Sequence, residues 1–543
     1  MGELRLVPAA AAVWAASLAF LVAGAWAAAA SVALLAVGCL VAREWGQSIL
    51  VCGLGFASCA VAALRVFTAR SWQFGDHVEG RVSGQPKELA NGSWLTRVRV
   101  DGYPAPVTVF SKEIPPGAVA GAGVEAAGTW GDSAVTGVSP VVLNGSIEVQ
   151  HPPSGLAAIA FRVRSTFGDT VAAHVGPASV GLIPGMVLGD TSRQTAAEQQ
   201  AYVDTGLSHL SAVSGSNVAI VATFAVVATT LAGLGLRVRM VAAALALAGF
   251  AVLVGPEPSV LRATVTGLVG LLAVVSSRHA EPMHVLCLSV IGLVFVDTDL
   301  AAHYGFALSV AATAGIVALN PLLYRALATT GWPDIVVRAL AVALAADVVT
   351  MPIVALMTGK VSLVSVAANV LVAPVTAPVT VLGLVAAALS LLPGGLEVPV
   401  LAVVEPCTWW VHKVAEVGAA LPLSTVSATP VVVAVAYGWV IAGIAAGRPR
   451  LTASAVAAVL VATQLHFPHA PVVDQSTLRA HVVQTRNEIE PVPAGTQLVV
   501  VLEHGAPTKR PTVTPAGIPV VFPNRDGPVV LRADGARSPA RTP

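Results

Sequence analysis

The chain has 543 residues, of which 55% are hydrophobic and only 11% are charged, and its mean hydropathy is +0.79. Soluble globular domains carry about 25% charged residues, so this composition excludes an ordinary soluble protein and indicates an integral membrane protein. The formal net charge of +1 excludes a general basic field that attracts nucleic acid, so any anion binding must depend on locally placed arginine and lysine.

The first 70 residues are predicted to form N-terminal transmembrane helices, about three at roughly 20 apolar residues each. The apolar sequence continues from Leu6 to Ala42 almost without interruption, well beyond the roughly 7–15 apolar residues of a secretory signal. We place the breaks near residues 26–28 and 43–46.

Residues 73–150 have the composition of a domain outside the membrane. Acidic residues, glycines and prolines separate short runs, and WLTRVRV at 94–100 alternates between polar and apolar as a strand does. Asp101-Gly102 then precedes VTVF at 107–110, as in a hairpin. We predict a small β-barrel or sandwich here. Residues 155–178 follow as an amphipathic linking helix, either on the membrane surface or simply joining two domains.

Apolar runs return over residues 180–466, with candidate spans near 206–233, 237–255, 258–277, 283–297, 303–323, 335–357, 361–392, 429–446 and 451–466. The short run 181–190 is predicted to be re-entrant or a loop. Pro374 and Pro378 predict that 361–392 is two segments or one broken helix. The stretch 394–419 is typical of an interfacial helix. Residues 467–543 form a polar tail whose last fifteen or so residues are predicted to be disordered.

Three ionisable or amide residues stand out inside the apolar runs, where polar groups are costly. They are Arg262, Asp347 and Asn369. Each has a structural alternative to a functional role. Arg262 then reaches to the membrane interface, Asp347 pairs with Arg338 or another cation, and Asn369 joins helices by hydrogen bonds.

The densest polar segment is GLSHLSAVSGSN at residues 206–217. As a helix with 100° per residue it presents polar groups on all sides, so none of its faces suits lipid. It is therefore enclosed by other helices, or Ser214-Gly215-Ser216 interrupts a helix inside a cavity. A polar loop before a span that begins at Val218 is the third alternative. The first two predict a water-accessible path lined by Ser208, His209, Ser211, Ser214, Gly215, Ser216 and Asn217.

Five ordered blocks resemble the ComEC family, the inner-membrane DNA channels of bacterial natural transformation. They are PGMVLGD at 184–190, GLSHLSAVSG at 206–215, PSVLRA at 258–263, GFALS at 305–309 and VSVAANVLVAP at 364–374. The resemblance covers residues 155–450, and residues 73–150 more loosely resemble the family's OB-like domain. Ser216-Asn217 replaces a common Leu-His pair, and Thr298 replaces a proline.

The resemblance implies a polytopic α-helical membrane protein with an inserted small β-barrel (OB-like) soluble domain. Its implied function is to translocate single-stranded DNA across the cytoplasmic membrane, with residues 180–466 as the channel. The path candidates are then the seven residues named above with Arg262, Asp347 and Asn369. The DNA-binding candidates are Arg237, Arg239, Arg338, Trp94, Arg97 and Arg99.

Longer relatives end in a metallo-β-lactamase-like domain with an H-x-H-x-D-H motif, which this sequence lacks. We therefore predict no metal site, no cofactor and no enzymatic activity. A phosphate-binding G-x-x-x-x-G-K-[ST] loop is also absent, so partners are expected to supply energy. The expected partners are single-stranded DNA, the lipid bilayer, separate DNA-receptor, nuclease and cytoplasmic ATPase proteins, and a second copy of the chain in a homodimer.

Two other functions remain open, a secondary transporter of a small or lipid-linked anion and a non-transporting membrane scaffold. Arg237, Arg239, Arg448 and Arg450 predict cytoplasmic loops by the positive-inside rule. The expected location is thus the cytoplasmic membrane with many spans, and the β domain lies outside the cytoplasm.

Overall fold

A computed structural model describes residues 4–75, 77–89, 92–211, 213, 215–275, 281–466, 478–490, 492–493, 495–503, 514, 518–526, 529–531 and 537–539. The chain divides into two compact units. The first unit comprises Met1–Pro86 and Thr96–Ala453, and the second comprises Lys87–Leu95 and Ser454–Pro543.

Helices dominate the first unit. The helices in chain order are α1 (Val7–Ala23), α2 (Ala25–Val41), α3 (Trp45–Ser71), α4 (Gly155–His174), α5 (Pro177–Val180), α6 (Leu182–Leu188), α7 (Ala196–Asp204), α8 (Gly215–Leu231), α9 (Leu236–Val254), α10 (Pro258–Val275), α11 (Pro282–Val296), α12 (Tyr304–Ala328), α13 (Asp334–Thr358), α14 (Ser365–Leu389), α15 (Val398–Ala419), α16 (Pro430–Ala445), α17 (Pro449–His466) and α18 (Pro523–Asp526).

The strands are short. In chain order they are β1 (His77–Val82), β2 (Lys87–Glu88), β3 (Trp94–Arg99), β4 (Val107–Ser111), β5 (Gly123–Asp132), β6 (Val141–His151), β7 (Lys360–Ser362), β8 (Thr425–Ser427), β9 (Ala480–Val483), β10 (Leu498–Val501), β11 (Val520–Val521), β12 (Val529–Leu531) and β13 (Arg537–Pro539).

Five helices within the described ranges are long and apolar enough to cross a membrane, namely α3, α9, α12, α13 and α14. Runs of alanine, valine and leucine of this length match the roughly 20 residues that a hydrocarbon core requires. Together with the inserted β-barrel described next, they confirm the predicted fold class of a helical membrane protein with a small β domain.

A closed five-stranded barrel follows α3. Its strand order is β1-β5-β6-β4-β3, and β3 pairs again with β1 through Arg81 opposite Arg99 and Val82 opposite Val98. Alternate residues of β4, including Val107 and Val109, are buried in its core. Closure leaves no free sheet edge, so a domain this small needs no partner strand.

Two contacts anchor the barrel and α3 to the end of α11. The Asp299 carboxylate, in the turn Thr298–Ala302, accepts a hydrogen bond of 2.6 Å from the backbone N–H of Val138 in the barrel. Arg65 of α3 donates to the Thr298 hydroxyl at 2.8 Å and to the Phe295 carbonyl at 2.8 Å. The barrel therefore lies at the end of the helices where α11 ends and α12 begins.

The structure differs from the sequence predictions at four places. The first break is at Gly24, and the 361–392 run is one continuous helix, α14, preceded by β7. Thr376 and Thr380 lie on either side of Pro378 and donate to the carbonyls of Val372 and Thr376 within α14. The run 181–190 contains the fully buried helix α6. Residues 529–531 and 537–539 form an antiparallel pair, so the prediction of disorder is wrong for them.

The second unit contains a three-stranded sheet in the order β11-β10-β9 with parallel pairing. Val483, Val499 and Val501 form its core with Phe522.

The tightest approach of two spanning helices is at Gly315 of α12. A Cβ atom there would overlap the Ala345 carbonyl oxygen of α13 and lie 2.5 Å from Cγ2 of Val349.

We expect Gly315→Ala to lower the free energy of unfolding by about 1–3 kcal/mol, because it overpacks this contact. The melting temperature of the purified protein measures this. Gly292→Ala on α11, where no atom lies within 4 Å, is the control and should be neutral or stabilising. Equal melting temperatures for the two variants would contradict the prediction.

Candidate functional site

Residues 206–211 and 213, which we call the signature turn, lie between α7 and α8 and do not form a helix. Gly206 has φ +69°, a left-handed conformation that favours glycine, and it ends the helical path of α7. Helix α8 begins only at Gly215. Ser208, His209 and Ser211 are therefore not helical, and the prediction of polar groups on all sides of a helix does not apply to them. Ser214 and the side chain of Ser216 lie outside the described residues.

Other elements enclose the backbone of the signature turn. The Gln194 side-chain amide donates to the Ser211 carbonyl at 2.9 Å, and the Ser259 hydroxyl donates to the Val213 carbonyl at 3.2 Å. Gly206 lies so close to Ser365 of α14 that a Cβ would collide with the serine hydroxyl. Non-helical backbone is tolerated at membrane depth only where protein or water satisfies it. The turn is thus a loop before a helix, which was one of the predicted alternatives. Other elements also enclose it, which was another.

The side chains of the signature turn differ in exposure. Ser208 and His209 are exposed, whereas Ser211 is half-buried and donates to the Ser208 carbonyl at 2.9 Å. His209 bonds the Gly206 carbonyl through Nδ1 at 3.2 Å. Local hydrogen bonds of this kind stabilise the turn itself.

Asn217, two residues into α8, is buried and bridges three helices. Its amide nitrogen donates to the Met186 carbonyl of α6 at 2.7 Å, and its amide oxygen accepts from the Thr380 hydroxyl of α14 at 3.2 Å. Met186 lies in the last turn of α6, where carbonyls lack helical partners. The structure therefore places Asn217 in the packed core as a connector, which the family comparison of Ser216-Asn217 did not reveal.

Arg262, in the second turn of α10, is 6% exposed. Its Nε donates to the Ser309 hydroxyl of α12 at 2.8 Å. A Cβ at Gly215 would lie 2.6 Å from its Nη2, so the guanidinium lies at the N-terminus of α8. The alternative in which Arg262 reaches to the membrane interface is wrong, because the side chain is turned inward.

The surroundings of Arg262 are electropositive. Across the described residues, no aspartate or glutamate forms an ion pair with it. The N-terminus of α8 adds partial positive charge and backbone N–H donors. A guanidinium beside a helix N-terminus is unfavourable alone but favourable once an anion binds both. Phosphate matches this arrangement because guanidinium groups bind its oxygens in a forked geometry.

Asp347 is buried near the middle of α13, and its partners are neutral. Oδ1 accepts from the Ser365 hydroxyl at 3.3 Å, and Oδ2 accepts from the Tyr437 hydroxyl of α16 at 3.4 Å. The predicted pairing with Arg338 is wrong, because Arg338 pairs with Asp334 at 2.6 Å. Asn369 donates to the carbonyl and the hydroxyl of Ser365 at 3.0 and 3.3 Å, so these bonds stay within α14 and do not join helices as predicted.

The remaining DNA-binding candidates lie at helix ends or on the barrel. Arg237 is exposed at the start of α9, and Arg239 donates to the Leu234 carbonyl at 2.7 Å. Arg97 and Arg99 are exposed on the outer face of β3. Trp94 is half-buried and belongs to the second unit.

The sequence analysis missed Arg81. It is exposed on β1 directly opposite Arg99. Like charges in register destabilise a strand pair, so a bound anion would relieve this contact. Only the pairing of β1 with β3 reveals it, because 18 positions separate the two residues.

Arg164 is a second missed residue. It lies in α4 and is 6% exposed. With the Gln85 amide oxygen turned toward it, the guanidinium donates to that oxygen at 2.8 and 3.0 Å, and Nη1 also donates to the Val254 carbonyl at 3.4 Å. Arg164 therefore joins the segment after β1 to the end of α9. The cationic character of residues 155–175 was visible in the sequence, but the inward direction of Arg164 was not.

The pKa of Asp299 is raised from 3.8 to about 6, chiefly by burial, while the hydrogen bond from Val138 lowers it and Asp297 raises it further. The folded protein then binds this proton more tightly than the unfolded chain does. We expect stability from this group to fall as the pH rises from 3.8 through about 6. Asp299→Asn keeps an acceptor for Val138 but cannot titrate. The melting temperature of the wild type, measured against that of this variant, should therefore fall as the pH rises from 3.8 to about 6. A difference between the two that is constant with pH would refute this assignment.

We expect Asn217→Leu to lower the free energy of unfolding by about 1–3 kcal/mol, because it leaves the buried Met186 carbonyl without its donor. Asn369→Leu is the matched control and should cost less, since the bonds of Asn369 stay within one helix. Thermal unfolding of both purified variants measures the difference. A larger loss of unfolding free energy for Asn369→Leu would contradict the stabilising role of the hydrogen bonds that Asn217 makes between helices.

Comparison with known proteins agrees with this architecture. A family model described as "Competence protein" matches residues 186–450, which include α8 to α16 and the signature turn. No curated protein and no solved structure gave a match. The family description indicates a role in DNA uptake for transformation. Residues 186–450 therefore match the competence protein family, and the predicted resemblance to its ComEC-like members is confirmed.

Proposed function

We propose that this protein is a channel that passes single-stranded DNA across the cytoplasmic membrane during natural transformation. The observation that carries the proposal is Arg262, a buried guanidinium at the N-terminus of α8 with a hydroxyl as its hydrogen-bond partner. A strand of DNA offers one phosphate per nucleotide, so it can exchange one phosphate for the next at such a site. Binding through phosphates is independent of sequence, as general DNA uptake requires.

Charge distribution supports an orientation with the barrel outside the cytoplasm. The end of α9 contacts Arg164, which also contacts Gln85 after β1, whereas Arg237 lies at the opposite end of the 19-residue helix, about 27 Å away at 1.5 Å per residue. Arg450 donates to the Thr330 carbonyl, beyond the end of α12 that is remote from Asp299. By the positive-inside rule, these arginine-bearing ends are cytoplasmic.

The barrel then offers a first contact for incoming DNA. Arg81, Arg97 and Arg99 lie on exposed outer positions of β1 and β3. Exposed arginines bind phosphates weakly and are screened by salt, so they suit capture rather than retention. Arg262, which is desolvated, suits the next contact along the path.

The same proposal assigns the remaining steps to other proteins. In it, this chain transports without catalysing covalent chemistry, a separate receptor and nuclease deliver the single strand, and a cytoplasmic ATPase draws on it. We also propose that the chain acts as a homodimer.

The test is uptake of labelled DNA by a strain that lacks this protein and is complemented with variants. We expect Arg262→Ala to lower uptake at least about tenfold, since losing one charged contact of about 1.4 kcal/mol changes an equilibrium by a factor of ten. Arg262→Lys should retain part of the uptake, because it keeps the charge but not the forked geometry. Arg338→Ala, which removes an exposed arginine already paired with Asp334, is the matched control and should have little effect.

Three results would count against the channel. Normal uptake in the deletion strain would remove DNA transport altogether. Uptake unaffected by Arg262→Ala would favour a scaffold. Equal losses for Arg262→Ala and Arg338→Ala, at equal protein levels in the membrane, would show a general charge effect and not a site.

A further inference from the structure

Asp347 occupies a polar cluster that the path of DNA does not explain. It is 6% exposed and accepts hydrogen bonds from Ser365 on α14 and Tyr437 on α16. Asn369 extends the cluster by donating to the Ser365 hydroxyl at 3.3 Å. A carboxylate repels DNA phosphates, so its role must concern something other than the strand itself.

The charged surroundings of Asp347 are sparse. Helices α12, α14 and α16 and strand β7 pack against α13. Besides Tyr437, their titratable or charged side chains and those of α13 itself are Tyr304, Tyr324, Arg325, Lys360, Asp334 and Arg338. Asp334, Arg338 and Tyr324 contact one another, and Asp334 begins α13, about 20 Å from Asp347 along the axis. Tyr304, Arg325 and Lys360 lie at or beyond helix ends, so Tyr437 is the one of these groups that contacts Asp347.

Burial and hydrogen bonding act on Asp347 in opposite directions. An isolated carboxylate at membrane depth is costly, which favours the protonated form. Two hydroxyl donors and the N-terminus of α14, where Ser365 is the first residue, favour the ionised form. A change in either contribution would therefore move the proton on or off this carboxyl group.

We propose that Asp347 is a proton-binding site that is coupled to the signature turn through Ser365. When ionised, the carboxylate accepts from both hydroxyls. When it takes up a proton, its O–H must donate to Ser365 or Tyr437, so one of these hydrogen bonds reverses direction. Gly206 of the signature turn lies directly against the Ser365 hydroxyl, so a change at Ser365 reaches the turn. The coupling to transport rests on the proposed channel function, whereas the proton site itself does not.

A chemical probe tests the proton site without DNA. Hydrophobic carbodiimides react with protonated carboxyl groups in apolar surroundings. We expect dicyclohexylcarbodiimide to modify Asp347 of the full chain in membrane vesicles, with a yield that declines as the pH rises, as read by peptide mass spectrometry. Asp334, exposed and paired with Arg338, is the internal control and should stay unmodified. Absence of modification at every pH, or a yield that does not depend on pH, would overturn the site. Protection by sodium but not by choline would also overturn it, because the site would then bind a metal cation.

Uptake by variants tests the coupling. Asp347→Asn keeps a hydrogen-bond acceptor but cannot exchange a proton, so we expect DNA uptake to fall to the background of the deletion strain at a normal membrane level and melting temperature. Asp347→Glu should retain partial uptake. Wild-type uptake by Asp347→Asn would overturn the coupling. Arg262→Ala should leave carbodiimide labelling unchanged, so failure of the channel proposal and failure of the proton site are read separately.

Discussion

A lipid bilayer offers no hydrogen-bond partners, and the remainder of this structure depends on how the chain meets that constraint at one non-helical segment. Residues 206–211 and 213 leave backbone carbonyls outside any helix, and Gln194 and Ser259 supply donors to two of them. Gly206 makes the sharp turn possible and brings the segment against Ser365. The loop before α7 and helices α10 and α14 therefore meet at this turn.

The two buried ionisable residues near the turn follow different rules. Arg262 lies beside the N-terminus of α8, where an anion would satisfy both it and the helix. Asp347 lies beside the N-terminus of α14 with two hydroxyl donors, an arrangement that already suits a carboxylate. An anion would add a favourable contact at Arg262, whereas the protein itself already supplies the hydrogen-bond partners of Asp347. This difference is why we assign an external anion to Arg262 and only a proton to Asp347.

The sequence predicted the fold well where a pattern depends on local physics. Long apolar runs predicted spanning helices, and alternation at residues 94–100 predicted β3 of the barrel. It failed where long-range contacts decide. Pro374 and Pro378 predicted a break in α14, but the helix is continuous and packs closely against Val187 of α6 at Gly383. The sequence also did not reveal the bridge at Asn217, because its partners Met186 and Thr380 lie far away in sequence.

For the candidate site residues too, the sequence indicated which residues are unusual but not which residues they contact. Arg262 was recognisable because an arginine among apolar residues is rare, whereas its contact with Ser309 and Gly215 required the packing of α8, α10 and α12. Arg164 was visible as a charge but not as a connector, since its partners Gln85 and Val254 belong to distant segments. Asp299 carried no motif, and only its contact with Val138 reveals that it holds the barrel.

The scarcity of buried charge is itself suited to moving a polyanion. A conducting site must bind well enough to admit its substrate and weakly enough to release it. Each desolvated phosphate contact adds binding free energy, and the strand must give up that contact before it can advance by one nucleotide. A row of buried arginines would therefore hold a strand in place. Within the described residues of α8 to α14, Arg262 is the one basic residue that is buried, whereas Arg237 and Arg325 are exposed at helix ends. A channel with one strong contact inside and weaker, screened contacts at its mouths would let the strand advance by exchanging phosphates at Arg262.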